Sequence, residues 1–371
     1  MEHPDRPIFD LWPALGANLP WLSLGELPTP VEPLDAVLAA AGAQRGRAWV
    51  KRDDLTSPRY GGNKVRTLEV LLADARAKGS SHIVATGAYG SNHVAATLLH
   101  ADRAGLLGGA IVFPQPHSGT ACANLAVTLA HSAHLVAVPH WSALPFGMAW
   151  SWIALRRRGH RATIMLPGGA TPLGALGYVS AALELARQVE RGELPAPDAL
   201  VIAVGSTCTS AGLLLGLSLA ARRGIGFRTP PRLVAVRITP WPVTAPRRII
   251  ALAARTGRLL ARLTGDADVA LPRAALRPHL TVDGRYLGAG YGEATPTGLD
   301  AIACFAAHPL PLDTTYSGKS GAALLDLARH SDERLLFWAT KSSAPLPPTA
   351  PTQDEAPPSV RVWLARCDTG T

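Results

Sequence analysis

Apolar and polar positions alternate along this chain in short blocks that predict strands and helices in turn. Short apolar runs predict strands, and the stretches between them, with apolar residues three or four positions apart, predict helices. The predicted strands lie at 48–50, 82–86, 110–113, 162–166, 200–204 and 233–236. The predicted helices lie at 34–41, 64–78, 93–104, 176–189 and after Ser210. This alternation is typical of βαβ units, so we expect an α/β fold with parallel sheets.

The two ends of the chain break this alternation. Residues 342–358 are rich in Ser, Ala, Pro and Thr, which is typical of an irregular tail, and 360–364 predict an edge strand. The first residues are polar and lack the apolar core of a signal peptide. The uncharged stretch 199–221 has the length of a membrane span, but its central Gly205, Ser206 and Thr207 favour a strand, a turn and a buried helix. We therefore expect no membrane segment.

Composition and charge narrow the class of protein. A chain of 371 residues is too long for one ordinary domain, and 47% hydrophobic with 17% charged residues is typical of a well-packed globular protein. The net charge of +9 comes mostly from scattered arginines. The tight clusters, Arg156–Arg158 and Arg247–Arg248, are not interleaved with aromatic residues, so we expect anionic small molecules rather than nucleic acid as partners.

The cysteines and histidines indicate neither a metal site nor a disulfide framework. Cys122, Cys208, Cys304 and Cys367 are far apart, and no Cys-x-x-Cys pair occurs. The histidines have no spacing typical of metal ligands. We therefore expect reduced thiols in a cytoplasmic protein and no metal.

Lys64 is the first candidate for chemistry, because of where it stands. The turn Gly61-Gly62-Asn63 follows Lys51–Thr56, and Asn63 is suited to cap the helix that begins near Lys64. A cation in the first turn of a helix opposes the helix dipole, which lowers its pKa as a Schiff-base lysine requires. The alternative is a solvated lysine at a helix start.

Two further turns join a predicted strand to a predicted helix, where ligands of parallel sheets bind. In the turn 87–93, Ser91, Asn92 and the first amides of the helix are suited to a carboxylate or phosphate, or Ser91 is simply a cap. In the turn 205–210, backbone amides and hydroxyls predict an anion site, or small residues let helix and strand pack closely. Gly318-Lys319-Ser320 is not a P-loop, because Asp313 stands where that motif needs glycine.

These turns, in this order, resemble the fold type II pyridoxal-phosphate enzymes, specifically the family of D-cysteine desulfhydrase and 1-aminocyclopropane-1-carboxylate (ACC) deaminase. The resemblance covers roughly residues 20–341. The motifs that carry it are Pro28-Thr29-Pro30, Lys51-Arg52-Asp53-Asp54, Gly61-Gly62-Asn63-Lys64, Ser91-Asn92-His93, Pro167-Gly168-Gly169, Gly174-Ala175-Leu176-Gly177-Tyr178, Gly205-Ser206, Gly290-Tyr291-Gly292, and Tyr316 with Gly318-Lys319.

The resemblance implies an architecture. It implies two open, twisted, mostly parallel sheet domains, similar to the tryptophan synthase β subunit, with pyridoxal 5'-phosphate in the cleft between them. We expect a large cofactor-binding domain at 1–55 and 163–341, a small inserted domain at 56–162, and a Pro-rich tail at 342–371. The resemblance also implies a homodimer.

The resemblance assigns roles residue by residue. Lys64 would form the Schiff base with pyridoxal phosphate, and Asn63 would bond the ring oxygen. The substrate would be bound, beside its reacting carbons, by Ser91, Asn92, His93, Tyr291 and Tyr316. The catalytic set would be Lys64, Ser91, Tyr291 and Tyr316. The phosphate would be held by Gly205, Ser206, Thr207, Cys208 and Thr209. Ser317 or Thr340 would lie near the pyridine nitrogen.

The function implied is a lyase acting on a small amino acid. We expect α,β-elimination of D-cysteine, or a similar β-substituted amino acid, to pyruvate and ammonia. Ser317 stands where the ACC deaminases carry glutamate, which favours the desulfhydrase activity. The alternatives are ACC deamination, β-replacement, racemisation, or a diverged cofactor-binding protein without turnover.

Departures from the family pattern cluster near the cofactor. Cys208 replaces a glycine, which would strain a left-handed backbone position, and Thr67 replaces a lysine. Gly90 replaces a glutamine, and Lys341-Ser342 replaces two glycines.

Overall fold

Two sheets of mostly parallel strands form the frame of the molecule. The structure is a computed structural model and describes residues 6–348 and 356–367. The strands are β1 (Val31–Pro33), β2 (Ala48–Lys51), β3 (His82–Ala88), β4 (Leu107–Phe113), β5 (His134–Ala137), β6 (Ala162–Ile164), β7 (Ala199–Val204), β8 (Arg232–Arg237), β9 (Leu280–Asp283) and β10 (Leu335–Trp338). One sheet has the order β1-β2-β10-β7-β8-β9 and the other β5-β4-β3-β6. All neighbouring strands run parallel except β1 and β2.

Helices cover both faces of the sheets. They are α1 (Pro7–Leu11), α2 (Leu15–Asn18), α3 (Asp35–Ala40), α4 (Lys64–Ala77), α5 (Asn92–His100), α6 (Gly119–His131), α7 (Leu144–Arg157), α8 (Pro172–Glu190), α9 (Cys208–Arg222), α10 (Pro246–Thr264), α11 (Arg273–Leu276), α12 (Pro296–Phe305), α13 (Ser317–His330) and α14 (Pro358–Leu364). Short 3-10 helices lie at Asp53–Leu55, Ala101–Ala104, Trp141–Ala143, Pro167–Gly169, Ala267–Val269 and Arg277–His279.

The side chains of β7 point alternately to the two faces of the six-stranded sheet, and helices pack on both faces. Leu200 and Ile202 pack into a core with α8, α9 and α10, whereas Ala199 and Val201 pack into a second core with α3, α12 and α13. Successive side chains of a strand point to opposite faces, so a strand covered on both faces is apolar throughout. All six residues of β7 are buried.

The four-stranded sheet is layered in the same way. Ile83 and Ala85 of β3 pack with α4 and α5, and Val84 packs on the other face with Leu144 and Leu155 of α7. The α/β class and the mostly parallel sheets are therefore confirmed, as are the strands and helices expected between residues 34 and 236. Several helices, among them α7, α10 and α13, were not predicted.

The division into domains stays a prediction, but the sheets bear on its boundary. The four-stranded sheet contains β3 to β6, and β6 pairs with β3 from Ala162 to Ile164. Residues 163 and 164, placed in the large domain above, therefore belong to the smaller sheet.

The C-terminal segment differs from the sequence-based expectations in its secondary structure and in its cysteine. Residues 349–355 and 368–371 of the expected tail lie outside the described residues, as do residues 1–5. Within 356–367 the chain forms α14, not an edge strand, and α14 buries Val360, Trp363 and Leu364 on the core of the smaller sheet. A disulfide joins Cys367 to Cys122 of α6, so the expectation of four reduced thiols is wrong. Cys208 and Cys304 are free.

Two expected absences concern membranes and metals. Among the described residues, no helix combines the length and the apolar character that a bilayer span requires. Within the same ranges, no group of three or more His, Cys, Asp and Glu side chains is arranged to hold a metal ion.

Candidate active site

Lys64 begins α4, where its side chain is half-buried. Its Nζ makes no hydrogen bond or ion pair with a residue that the structure describes. Burial lowers the pKa of Lys64, and the neighbouring Cys208 opposes this shift. Burial in turn raises the pKa of the Cys208 thiol, which keeps it uncharged near neutral pH. Lys64 is thus suited to act as a neutral amine.

The remaining lysines, Lys51, Lys78, Lys319 and Lys341, are less suited. Lys51 Nζ lies 2.6 Å from Glu184 Oε1. Lys319 Nζ donates to the Leu287 carbonyl over 2.7 Å. Lys78 forms a surface pair with Asp74. Lys341 Nζ donates to the Ser342 carbonyl over 3.4 Å. Among the described lysines, only Lys64 has an amine without a hydrogen bond.

The turn before Lys64 is held by the end of β10. Gly62 has a φ of +86°, and a Cβ atom there would lie 2.6 Å from the Thr340 carbonyl oxygen. Asn63 N donates to that same carbonyl over 2.9 Å. The expectation that the Asn63 side chain caps α4 is wrong. Its Nδ2 donates instead to Thr209 Oγ1 over 3.0 Å. Asn63 therefore joins α4 to the start of α9.

The loop 205–209 leads into α9, a helix of fifteen residues. The first amide groups of any helix lack intrahelical partners and carry its positive dipole end, which suits them to an anion. The residue with left-handed backbone is Thr207, with a φ of 70°, whereas Cys208 is already helical. The strain that the sequence assigned to Cys208 therefore lies one residue earlier.

The Cys208 side chain faces the layer beneath the loop. Its Sγ donates to the Gly169 carbonyl over 3.2 Å and lies 4.0 Å from Thr67 Oγ1. A Cβ atom at Gly168 would collide with Ser206 Oγ and lie 3.6 Å from Lys64 Nζ. Thus the loop after β6, the loop before α9 and Lys64 meet at one point.

His93 has no hydrogen-bond partner although it is buried. It is 3% exposed, and both of its ring nitrogens are unpaired within the described residues. Burial, with repulsion from Lys64, lowers the pKa of His93 to about 3, so the ring is neutral. Buried polar atoms are nearly always paired, so His93 indicates a missing partner beside Lys64.

Ser91 and Asn92 differ in which polar side-chain groups already have hydrogen bonds. Ser91 Oγ caps α5 by accepting from Val94 N over 3.3 Å. Asn92 Oδ1 accepts from Tyr60 Oη at 3.0 Å and from Asn124 Nδ2 at 2.7 Å. The Asn92 amide NH₂ group makes no hydrogen bond with a described residue and is available to a carboxylate.

Tyr291 and Tyr316 form a hydrogen-bonded pair over 2.7 Å between their hydroxyls. A Cβ atom at Gly205 would lie 3.4 Å from the Tyr316 ring, so the pair adjoins the loop before α9. Burial raises the pKa of Tyr291 to about 12, and burial and Tyr291 raise that of Tyr316 well above its usual value. Both hydroxyls therefore stay protonated near neutral pH.

The two candidates for the pyridine nitrogen differ in their hydrogen bonds. Ser317 Oγ donates to Asp313 Oδ2 over 2.9 Å and accepts from Asp313 N over 2.7 Å. That hydroxyl is already committed to Asp313. Thr340 is almost buried, and its hydroxyl has no partner among the described residues. The geometry favours Thr340.

A buried ion network lies beneath the site. Arg66 NH2 contacts Asp53 Oδ1 at 2.7 Å and Glu184 Oε1 at 2.9 Å, and Lys51 joins the same glutamate. Tyr178 Oη donates to Asp53 over 2.8 Å. The Lys51–Asp54 motif thus holds the first turn of α4 and α8 together, and so positions Lys64.

Residues 22–340 match the family described as pyridoxal-phosphate dependent enzyme. The chain belongs to the pyridoxal-phosphate dependent enzymes. It is 35% identical over 342 residues to the Nocardicin C-9' epimerase of Nocardia uniformis subsp. tsuyamanensis, covering 89% of this chain and 97% of that protein. It is 31% identical over 338 residues to the D-cysteine desulfhydrase of Salmonella newport strain SL254, covering 88% of this chain and 95% of that protein.

A solved structure gives the same fold. The crystal structure of an ACC deaminase homologue matches with a TM-score of 0.73 and 30% identity, covering 92% of this chain and 96% of that one. The cofactor pyridoxal phosphate and the fold type expected from the sequence are therefore confirmed.

The residues present fit this cofactor. Lys64 offers an unpaired amine, the two unpaired nitrogens of His93 lie nearby, and the amides at the start of α9 are suited to a phosphate. Thr340 leaves a hydroxyl free at the end of β10.

Sequence reasoning missed three residues of the site. Tyr60 and Asn124 orient Asn92, and Asp313 anchors the segment of Tyr316, whose backbone N donates to Asp313 Oδ1. Tyr60 precedes the Gly61-Gly62 turn, which was a usable signal. Asn124 lies within the unpredicted α6 and carried none.

Proposed function

We propose that the protein is a pyridoxal-phosphate-dependent lyase that removes a β-substituent from a small amino acid, with D-cysteine or a similar compound as substrate. The observation that carries this proposal is the half-buried amine of Lys64 beside the buried ring of His93, both unpaired within the described residues. The relatives named D-cysteine desulfhydrase support the substrate class.

The chain would hold the cofactor through Lys64, with its phosphate at residues 205–209 and its ring nitrogen near Thr340. Asn63 would approach the ring oxygen, since it already lies at the junction of α4 and α9. When bound, the cofactor supplies an electron sink that acidifies the Cα proton of the amino acid.

The residues of the chain would perform the remaining steps. The Asn92 amide and the start of α5 bind the substrate carboxylate, and Lys64 Nζ, as a neutral amine, takes the Cα proton. The electrons of the Cα–H bond form the Cα–Cβ double bond, and those of the Cβ–S bond leave with sulfur. The Tyr291–Tyr316 pair protonates the departing sulfur. Water then hydrolyses the released enamine to pyruvate and ammonia.

Racemisation or epimerisation at Cα is the second candidate, because the epimerase relative is 35% identical over nearly its whole length. Both reactions begin with loss of the Cα proton, so the products separate them. Incubation with the D and L forms of cysteine and serine in D₂O should give pyruvate if elimination dominates. Deuterated amino acid of inverted configuration without pyruvate would favour epimerisation, and no reaction would contradict both.

Three further features expected from the sequence stay part of the proposal: a small amino acid as the partner, a homodimer and a cytoplasmic location. Light scattering should give twice the 38.9 kDa chain mass. A monomer at working concentration would contradict the dimer.

A further inference from the structure

A cavity of about 390 Å³ opens beside the candidate carboxylate site. Asn92 and Lys341 both line it, together with Tyr60, Thr120 and Asn124. None of the described residues that line it is an Asp or a Glu. The volume is within the range of small-molecule sites, and the side chain of cysteine, with one sulfur, would leave most of it empty.

Asn92 is held so that one group remains free. Its Oδ1 already accepts two hydrogen bonds, from Tyr60 and Asn124, which fixes the orientation of the amide. The NH₂ group is therefore left to bind the α-carboxylate of an amino acid. A substrate bound there would enter the cavity with its side chain.

Lys341 is fixed at its backbone and free at its amine. On one side of it, the Thr340 carbonyl accepts from Asn63 N, and on the other, Ser342 Oγ accepts from Gly61 N over 2.9 Å. Its Nζ makes one long contact, 3.4 Å, to the Ser342 carbonyl, and forms no ion pair with a described residue. Among the described residues, Lys341 is therefore a cation without an anion.

We infer that the cavity binds the side chain of an amino-acid substrate that ends in a carboxylate, and that Lys341 selects it. The inference rests on the proposed function, because the α-carboxylate must lie at Asn92. A carboxylate at the far end of the side chain supplies the anion that Lys341 lacks among the described residues, and a side chain longer than that of cysteine fills more of the cavity.

Two thioethers of cysteine test the charge alone. S-carboxymethylcysteine and S-carbamoylmethylcysteine have the same number of non-hydrogen atoms, and both can release pyruvate by loss of the Cβ–S bond. We expect the wild type to prefer the acid. Lys341→Met should lower kcat/KM for the acid about tenfold, through KM, and leave the amide within about twofold. Both configurations of each compound are assayed.

Two variants serve as controls. Lys341→Arg keeps the charge and should keep the preference for the acid. Lys78→Met removes a surface lysine that pairs with Asp74, far from the cavity in the fold, and should change neither rate.

The outcomes separate this inference from the proposed function. If Lys341→Met lowers kcat/KM equally for the acid and the amide, Lys341 contacts a group that both compounds share, and the inference is overturned. An unchanged preference in that variant would overturn it as well, as would turnover of D-cysteine without turnover of either thioether. If no amino acid reacts, the proposed function fails.

Binding then remains as an independent measurement. Isothermal titration of the cofactor-loaded protein with glutarate and with glutaramate compares a distal carboxylate with a distal amide. The wild type should bind glutarate more tightly, and Lys341→Met should abolish the difference. Equal affinities in the wild type would overturn the inference without reference to any activity.

Discussion

At the scale of single residues, His93 and Gly90 show how neighbours decide what a side chain does. His93 stays neutral because it is buried beside a lysine, and its nitrogens stay unpaired. Gly90 stands where a glutamine was expected from the family pattern. A Cβ atom there would lie 2.5 Å from Ala121, so α6 has taken the space of that side chain.

The His93 pKa makes a prediction about stability in the cofactor-free protein. Because the folded pKa of about 3 lies below the ordinary 6.5, the unfolded chain binds a proton that the folded chain does not as the pH falls between these values. As the pH decreases through this range, the free energy of unfolding should also decrease, by at most about 1.4 kcal/mol per pH unit from this group.

Urea unfolding of wild type and His93→Gln at several pH values between 7 and 4 measures this effect. The variant should lose less stability on acidification, while the other histidines titrate in both proteins and cancel. Parallel pH profiles would contradict the neutral, buried state of His93.

At the scale of elements, the ion network ties α4 and α8 to the end of β2. Arg66 is buried and faces two carboxylates, Asp53 and Glu184. The attraction of Arg66 and Lys51 outweighs burial and lowers the pKa of Glu184. The network positions the helix that carries Lys64.

Arg66→Met should destabilise the protein by about 3–5 kcal/mol, because it leaves buried carboxylates without their partner. Chemical denaturation measures the loss. The matched control is Arg191→Met, which removes an exposed pair with Glu193 and should cost less than about 1 kcal/mol. Similar losses in both variants would show that the network does not stabilise α4.

The disulfide between α14 and α6 is the second test at this scale. Cys367→Ser should free α14, so that its amides exchange hydrogen faster and stability falls by about 2–4 kcal/mol. Dithiothreitol should have the same effect on the wild type and no further effect on the variant. Cys304→Ser, which changes a free cysteine, is the control. A wild type insensitive to reductant would contradict the link.

The elements also show what the sequence reveals. α4 was predictable because a Gly-Gly turn precedes a run of apolar residues at helical spacing. α14 was misread because Val360 and Val362 alternate with polar residues, as in a strand, although the buried Val360, Trp363 and Leu364 have helical spacing. The disulfide joins residues 245 positions apart and depends on packing that no local pattern encodes.

At the scale of the whole molecule, the candidate site forms where the ends of both sheets meet. The end of β10 supports the turn before Lys64, β7 leads to the loop before α9, and β3 leads to His93. Sequence motifs located these turns, since each follows a predicted strand. They did not reveal the hydrogen bonds of Asn92, Ser317 and Asn63, which depend on residues from distant segments.

The most direct test of the account is to find which lysine holds the cofactor. Borohydride reduction of the loaded protein, followed by peptide mapping, gives an unambiguous answer because the chain has five lysines. The label should lie on the peptide that contains Lys64, and Lys64→Ala should lose both the label and the visible absorbance of the bound cofactor. A label on Lys51, Lys78, Lys319 or Lys341, or none at all, would contradict the account.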